Sequence, residues 1–348
     1  MADSTAPRSV LPEGRARQIF TKQILPALLS PYLNPQSDPR MILLGAQPGA
    51  GKTSLARILT DRGGTDRRPI ALDVDALRPF YPGYQKIKRR HGVKGDRRVT
   101  DDVHRWLRMA FEHIRQHRTD LIIEHTLGNM EQITDMLDRF VGHVEPGALP
   151  YTVDVAVLAV AVADSRRGML ERCQLALETV GHGRYPGDDL HDSRYDSVPH
   201  TADALFENPL VSSITVYRRG GQELSRNRRD ADGAWMSDIP PSQIITTERD
   251  RPWDLQRSIE WLAGFQSLSA RMDSVWQESL QRAWLDAQPL LDPAALGTSM
   301  SGNGLTRDWD LLTDLPRTGH HHVHQPLEQA LGGVPEVGND IPEPDAGL

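Results

Sequence analysis

Apolar positions along the chain fall into two periods. The runs Met41–Gly45, Ile70–Val74, Leu121–Glu124, Val153–Ala163 and Ile214–Tyr217 are short and nearly continuous, as expected of strands buried on both faces. Between them the spacing lengthens to three and four residues. Val103, Trp106, Ala110 and Ile114 make one face of a helix over 102–116, with Asp101 and Asp102 at the end where the helix dipole favours acids. Ile19, Phe20, Ile24, Leu25 and Leu28 predict a leading helix over 15–29. Strands alternating with helices predict an α/β fold, a three-layer α/β/α sandwich with a mainly parallel sheet. Ligands of such sheets sit beyond the carboxyl ends of the strands.

The pattern changes after about residue 219. Gly220-Gly221 predicts a hairpin turn, and the polar stretch 226–250 reads as an irregular linker. Leu255, Ile259, Leu262, Phe265, Met272, Trp276, Leu280 and Trp284 then form a helical stripe. It predicts a helical extension over 251–296, either packed on the α/β body or open to a partner. The α/β body is expected to span 14–225, preceded by a flexible N-terminus over 1–13. Residues 297–348 are Gly/Pro-rich and acidic, the composition of a disordered tail. His320, His321, His322 and His324 fall there, without a scaffold to fix a metal geometry.

Composition narrows the class. The 348 residues, 38% hydrophobic and 25% charged, have the balance of a soluble globular protein. No run approaches the roughly 18 apolar residues of a membrane span, and Met1–Pro12 lacks the apolar core of a secretory signal. Cys173 is the single cysteine, so a cytoplasmic setting is expected. A net charge of −7 disfavours nucleic acid as a partner. The basic run Lys86-Ile87-Lys88-Arg89-Arg90, continuing to Lys94, Arg97 and Arg98, reads as a solvated loop able to attract an anionic substrate.

The clearest chemistry lies in Ala46-Gln47-Pro48-Gly49-Ala50-Gly51-Lys52-Thr53, between the first strand run and the helical Ser54-Leu55-Ala56-Arg57-Ile58-Leu59. That strand–loop–helix context is what a phosphate-binding loop requires, although Ala46 stands where the first glycine is usual. Backbone N–H groups of Gln47, Pro48, Gly49, Ala50, Gly51, Lys52, Thr53 and Ser54 (proline excepted) and the helix N-terminus can surround the phosphates of ATP or GTP. Lys52 supplies a mobile charge, and the Thr53 hydroxyl is placed for Mg²⁺.

Three further segments follow strand runs. Asp75, after Leu72-Asp73-Val74, is placed to take a proton from an acceptor hydroxyl, or else to cap a short helix. Glu124 ends the third strand and suits either Mg²⁺ or the hydroxyls of the acceptor; His125 is assigned no chemistry. Arg172, and Arg184 in Gly181-His182-Gly183-Arg184, suit a lid that grips phosphate through paired hydrogen bonds, though either could be a solvated surface residue.

In combination and order these segments resemble the zeta toxins, P-loop kinases of bacterial toxin–antitoxin systems, over about residues 40–220. The resemblance rests on Gln47-Pro48-Gly49-Ala50-Gly51-Lys52-Thr53; on Asp73-Val74-Asp75 with Pro82; on Ile123-Glu124-His125-Thr126; and on Glu171-Arg172, Gly183-Arg184 and His191-Asp192. It implies transfer of the ATP γ-phosphate to the sugar 3′-hydroxyl of UDP-N-acetylglucosamine. It further implies Asp75 as base, Lys52 and Thr53 at ATP and Mg²⁺, Glu124 and Thr126 at the sugar nucleotide, and Arg172 and Arg184 at the phosphate. A neutralising protein antitoxin is implied as partner. Rival expectations are a different acceptor (another nucleotide, an antibiotic or an RNA 5′-hydroxyl) and a nucleotide-dependent binding protein without catalysis.

Overall fold

The computed structural model describes residues 10–300 apart from Thr65, 143–148 and His182, and without the side chains of 92–94 and 297–300. The extreme N-terminus and the tail with its histidines lie outside the described residues. Six strands form one sheet in the order β2-β3-β1-β4-β5-β6. They are β1 (Arg40–Gly45), β2 (Ile70–Leu72), β3 (Leu121–His125), β4 (Thr152–Ala159), β5 (Val211–Arg218) and β6 (Glu223–Arg228). The first five are parallel, and β6 returns antiparallel to β5 through Gly220 and Gly221, at φ 93° and 86°. Two successive positive φ values are what a tight hairpin demands and glycine supplies.

The helices are α1 (Glu13–Ile19), α2 (Lys52–Arg62), α3 (Tyr84–Arg98), α4 (Thr100–Gln116), α5 (Met130–Val141) and α6 (Val162–Val180). They continue with α7 (Asp188–Glu207), α8 (Pro241–Arg249), α9 (Leu255–Ser269), α10 (Gln277–Ala287) and α11 (Pro293–Met300). The strand runs are hydrophobic throughout because both faces are covered. Met41, Leu43, Leu121, Ile123, Val153, Val155 and Val157 point into one core with Trp106, Ile114 and Phe140. Their alternates Leu44, Ile122, Ala156 and Leu158 pack with Leu55 and Ala56 of α2. That division is the three-layer arrangement expected, with the period of two assigning each residue to its face.

Several elements differ from expectation. β4 stops at Ala159, and the apolar continuation belongs to α6, because a helix buried in its first turns is as hydrophobic as a buried strand. The basic run is helical, in α3, and not a loop. The stretch 226–250 holds the end of β6 and all of α8. The leading helix is α1 running into a wider-wound segment over Phe20–Leu29, with Pro26 inside it. Leu11, in the segment expected to be flexible, donates its N–H to Asp102 Oδ2 at 3.0 Å and accepts from Arg105 Nη1 at 2.9 Å.

The C-terminal helices pack on the body. Trp253, Trp261, Leu262, Phe265, Leu268, Trp276 and Trp284 form one cluster with Met169, Leu170 and Cys173 of α6. Leu255, counted in the stripe, is instead exposed, and Trp261 takes the inward position. Among the described residues, no helix is long and apolar enough to cross a membrane.

Candidate active site

β1 lies between β3 and β4, so the chain leaving it enters the crevice where strand order reverses. The parallel register sets Leu44 beside Glu124 and Gly45 beside His125, bringing the end of β3 level with the loop of 46–53. Gly49 and Gly51 sit at φ 77° and 97°, a region that glycine enters without strain. Gly51 precedes α2 and offers no side chain to cap it, which leaves the first-turn N–H groups for an anionic ligand.

The loop is pressed against the start of α6, backbone on backbone. A Cβ on Gly49 would lie 1.9 Å from the Ser165 carbonyl oxygen, and one on Gly168 would lie 2.5 Å from the Gly49 oxygen. Lys52 folds back over the loop and donates from Nζ to the carbonyls of Ala46 at 2.8 Å and Gln47 at 3.1 Å. Burial pushes its ammonium down to about 8; the Glu124 charge opposes this and Arg172 reinforces it. The Gln47 side chain is fully buried and does not line the loop mouth. Its Nε2 donates to Val160 O at 3.0 Å and Ser165 Oγ at 3.2 Å, while its Oε1 accepts from Arg249 Nη2 at 3.1 Å.

Thr53 Oγ1 donates to Glu124 Oε2 at 3.0 Å. Burial raises the pKa of Glu124, with the Asp73 charge adding to it and the Thr53 hydrogen bond opposing; Asp73 is raised by burial and by Asp75. A hydroxyl beside carboxylates whose charge is disfavoured suits a divalent cation that brings its own phosphate and water ligands. The described residues hold no group of three or more His, Cys, Asp or Glu side chains able to cage a metal alone.

β2 ends at Leu72, and Asp73 caps the short 3₁₀ helix Val74–Phe80 by accepting the Asp75 N–H at 2.9 Å. Capping therefore falls to Asp73, and the Asp75 carboxylate is released to the cleft. There Arg184 Nη1 donates to Asp75 Oδ2, and Arg78 Nη2 approaches Oδ1 at 3.1 Å. Asp96 of α3 completes an alternating square of charges, with its Oδ2 at 2.7 Å from Arg78 Nη1 and 3.3 Å from Arg184 Nε. The Tyr84 hydroxyl donates to Asp96 Oδ1 at 2.7 Å, and burial with the adjacent carboxylate pushes that phenol up to about 12. Arg78 and Asp96 were not among the expected site residues. Their signals were present: Arg78 lies one helical turn after Asp75, and Asp96 is the one acid in the run 84–98.

The lid segment turns sharply after α6. A Cβ on Gly183 would lie 2.5 Å from Cys173 O, and this close approach brings the neighbouring Arg184 back to Asp75. Arg172 lies on the exposed side of α6, without an ion-pair partner among the described residues. Thr126 is half-buried after β3. The loop behind it is tightly held: Leu127, buried at φ 51°, accepts from Thr201 Oγ1 at 2.8 Å and Ser197 Oγ at 3.2 Å, and Arg194 Nη1 donates to Gly128 O at 3.0 Å. His125 accepts the Leu127 N–H on Nδ1 at 2.9 Å, with burial and the charges of Lys52 and Arg194 holding it down to about 4. It stays neutral at physiological pH and serves the turn.

The zeta toxin family profile matches residues 28–230, more than half of the chain. Toxin zeta of Streptococcus agalactiae is 25% identical over 188 residues, which cover 54% of this chain and 63% of the relative. The chain thus spans under two thirds of that relative's length. Toxin zeta of Streptococcus pyogenes is 22% identical over 256 residues, 72% of this chain and 84% of the relative. Among solved structures, one from the PezAT chromosomal toxin–antitoxin system of Streptococcus pneumoniae shares the fold, with a TM-score of 0.62 at 17% identity. The superposition covers 76% of this chain and all of that one.

Proposed function

The chain belongs to the zeta toxin family, and from that premise we propose that it is a phosphotransferase that moves the γ-phosphoryl of ATP, with Mg²⁺, to a sugar-nucleotide hydroxyl. The acceptor we assign is the 3′-hydroxyl of UDP-N-acetylglucosamine, and the protein acts as the toxin of a toxin–antitoxin pair with a protein antitoxin. One observation carries the chemistry. Lys52, the Thr53–Glu124 pair and the Asp75–Arg184 pair meet at the same end of the sheet, within reach of one another's charge.

Loop amides and Lys52 bind and orient the donor phosphates, with Lys52 exchanging two carbonyl partners for phosphate oxygens. Bound Mg²⁺, held at Thr53 with Glu124 alongside, would neutralise charge on the β- and γ-phosphates. Arg184 and Arg172 close over the γ-phosphoryl, and Asp75 takes the proton of the attacking hydroxyl. Glu124 and Thr126 flank the acceptor. The placement of Glu124 on the Thr53 hydroxyl favours a part on the donor side as well.

The test is incubation of the purified protein with ATP, Mg²⁺ and UDP-N-acetylglucosamine, with products read by mass spectrometry and Asp75→Ala run alongside. A sugar nucleotide heavier by one phosphate, absent with the variant, supports the reading. ATP consumption only with other acceptors moves the assignment to them, and ATP binding without any phosphorylated product favours a non-catalytic binding protein.

A further inference from the structure

We propose that Arg249, the last residue of α8 and outside the family-matched 28–230, is a positioning residue for the phosphate-binding loop. Arg249 is 4% exposed, and no carboxylate lies within ion-pair distance of it among the described residues. Its Nε is buried without a hydrogen-bond partner. Burying a guanidinium in this way is costly, and an apolar side chain could fill the space more cheaply. The compensation lies in where its other groups point. Nη1 donates to Tyr195 O at 2.9 Å, the guanidinium lies 3.8 Å from the centre of the Tyr195 ring, and Nη2 donates to Gln47 Oε1 at 3.1 Å.

That last bond completes the partners of Gln47, whose Nε2 is spent on Val160 O and Ser165 Oγ and whose carbonyl receives Lys52 Nζ. A line of contacts therefore runs from α8 through Gln47 to the cation that meets the phosphates. A second line reaches the same residue from α10. Ser165 Oγ contacts His191 Nε2 at 2.9 Å, and His191 Nδ1 contacts Asp192 Oδ1 at 2.8 Å. Arg166 then joins Asp192 to Asp286 of α10, at 2.8 and 2.7 Å. Ser165 Oγ, which also faces the carbonyls of Ala161 at 3.2 Å and Val162 at 3.1 Å, accepts from Gln47 Nε2, and His191 links it to the Asp192 carboxylate. The helices after the family-matched region hold the loop in register with α6; they are not an appendage.

Two readouts test this, and only one depends on the nucleotide reading above. In the nucleotide-free full chain, hydrogen exchange of the amides of 49–53 should speed up in Arg249→Met and in Gln47→Met, while the strand amides of β1 keep their protection. ATP affinity should fall about 10- to 100-fold in either variant, and the double variant should lose little more than either single one. Arg249→Lys, which keeps the charge but replaces the two-pronged guanidinium with a single ammonium nitrogen, should recover part of the loss. Unchanged loop exchange in both single variants would overturn the proposal. So would additive losses in the double variant, or a lowered unfolding temperature with wild-type ATP affinity. If the wild-type chain binds no ATP, the phosphotransferase reading fails, and the exchange comparison still decides the role of Arg249. If Arg249→Met does not fold, Arg249→Lys takes its place, and wild-type loop exchange and ATP affinity in that variant would overturn the proposal.

Discussion

Gly168 offers a prediction whose sign departs from the rule. Replacing a helical glycine by alanine ordinarily stabilises by about 1 kcal/mol, since alanine loses less backbone freedom on folding. In α6 the new Cβ of Gly168→Ala would stand 2.5 Å from the Gly49 carbonyl oxygen, which is backbone and cannot swing aside. Relieving that contact requires α6 and the loop to part, at an overpacking cost of about 1–3 kcal/mol. The net effect is destabilisation of up to about 2 kcal/mol, a fall of several degrees in unfolding temperature. Gly264→Ala in α9 is the internal control. Its Cβ would meet Arg167 Nη1 at 3.1 Å, a side-chain end that is held by Trp261 O and Glu171 but need give only a few tenths of an ångström, so that variant should be close to neutral. Thermal unfolding of both, followed by circular dichroism, measures the difference directly. Because the separation opens at Gly49, Gly168→Ala should also weaken ATP binding, whereas Gly264→Ala should not. If both variants gain stability equally, the backbone packing of the loop on α6 is refuted.

Other expectations follow from single contacts. Asp75→Asn should cut turnover by about 10²- to 10⁴-fold with ATP affinity nearly unchanged, read by product formation and calorimetric binding; normal turnover would remove it as the base. Lys52 loses its proton near pH 8 when free, whereas phosphate contact favours the charged form. ATP affinity should therefore be full below pH 8 and decline above it, with proton uptake on binding near pH 8–9 measurable in buffers of different ionisation enthalpy; a flat profile to pH 10 would contradict the placement of this ammonium. Phe265→Ala, which empties a fully buried site shared by Trp261 and Trp284, should lower stability by about 3–5 kcal/mol in denaturant unfolding. A cost under about 1 kcal/mol would mean that the C-terminal helices pack loosely.

The phosphate loop, the five parallel strands and the face of α4 were legible because each rests on local pattern: a glycine-rich turn between two periods, or buried runs of fixed phase. What escaped notice depends on tertiary context. The hairpin turn at Gly220-Gly221 was legible, but the end of β6, residues 226–228, reads as linker because an edge strand is polar and Glu223–Arg228 shows no alternation. α3 reads as loop because its charges are solvated around most of its surface and no apolar stripe announces it. The acidic and basic corners of the charge square come from three separate segments, and no spacing rule connects Asp96 with Arg184. Gln47 was expected at the phosphates from its place in the loop. That expectation concerned its backbone N–H; its side chain has a separate part, supporting the loop from behind, which only the fold around it reveals.

The square of Asp75, Arg78, Asp96 and Arg184 works as an interlock. Both oxygens of Asp75 are occupied by guanidiniums, so on the proposed mechanism the base is guarded until phosphate draws Arg184 away. The donor that supplies the phosphoryl group thereby also unmasks the group that activates the acceptor. On that mechanism an acceptor bound by itself meets a masked base, so competence for transfer follows the nucleotide and sets the order of events, donor first.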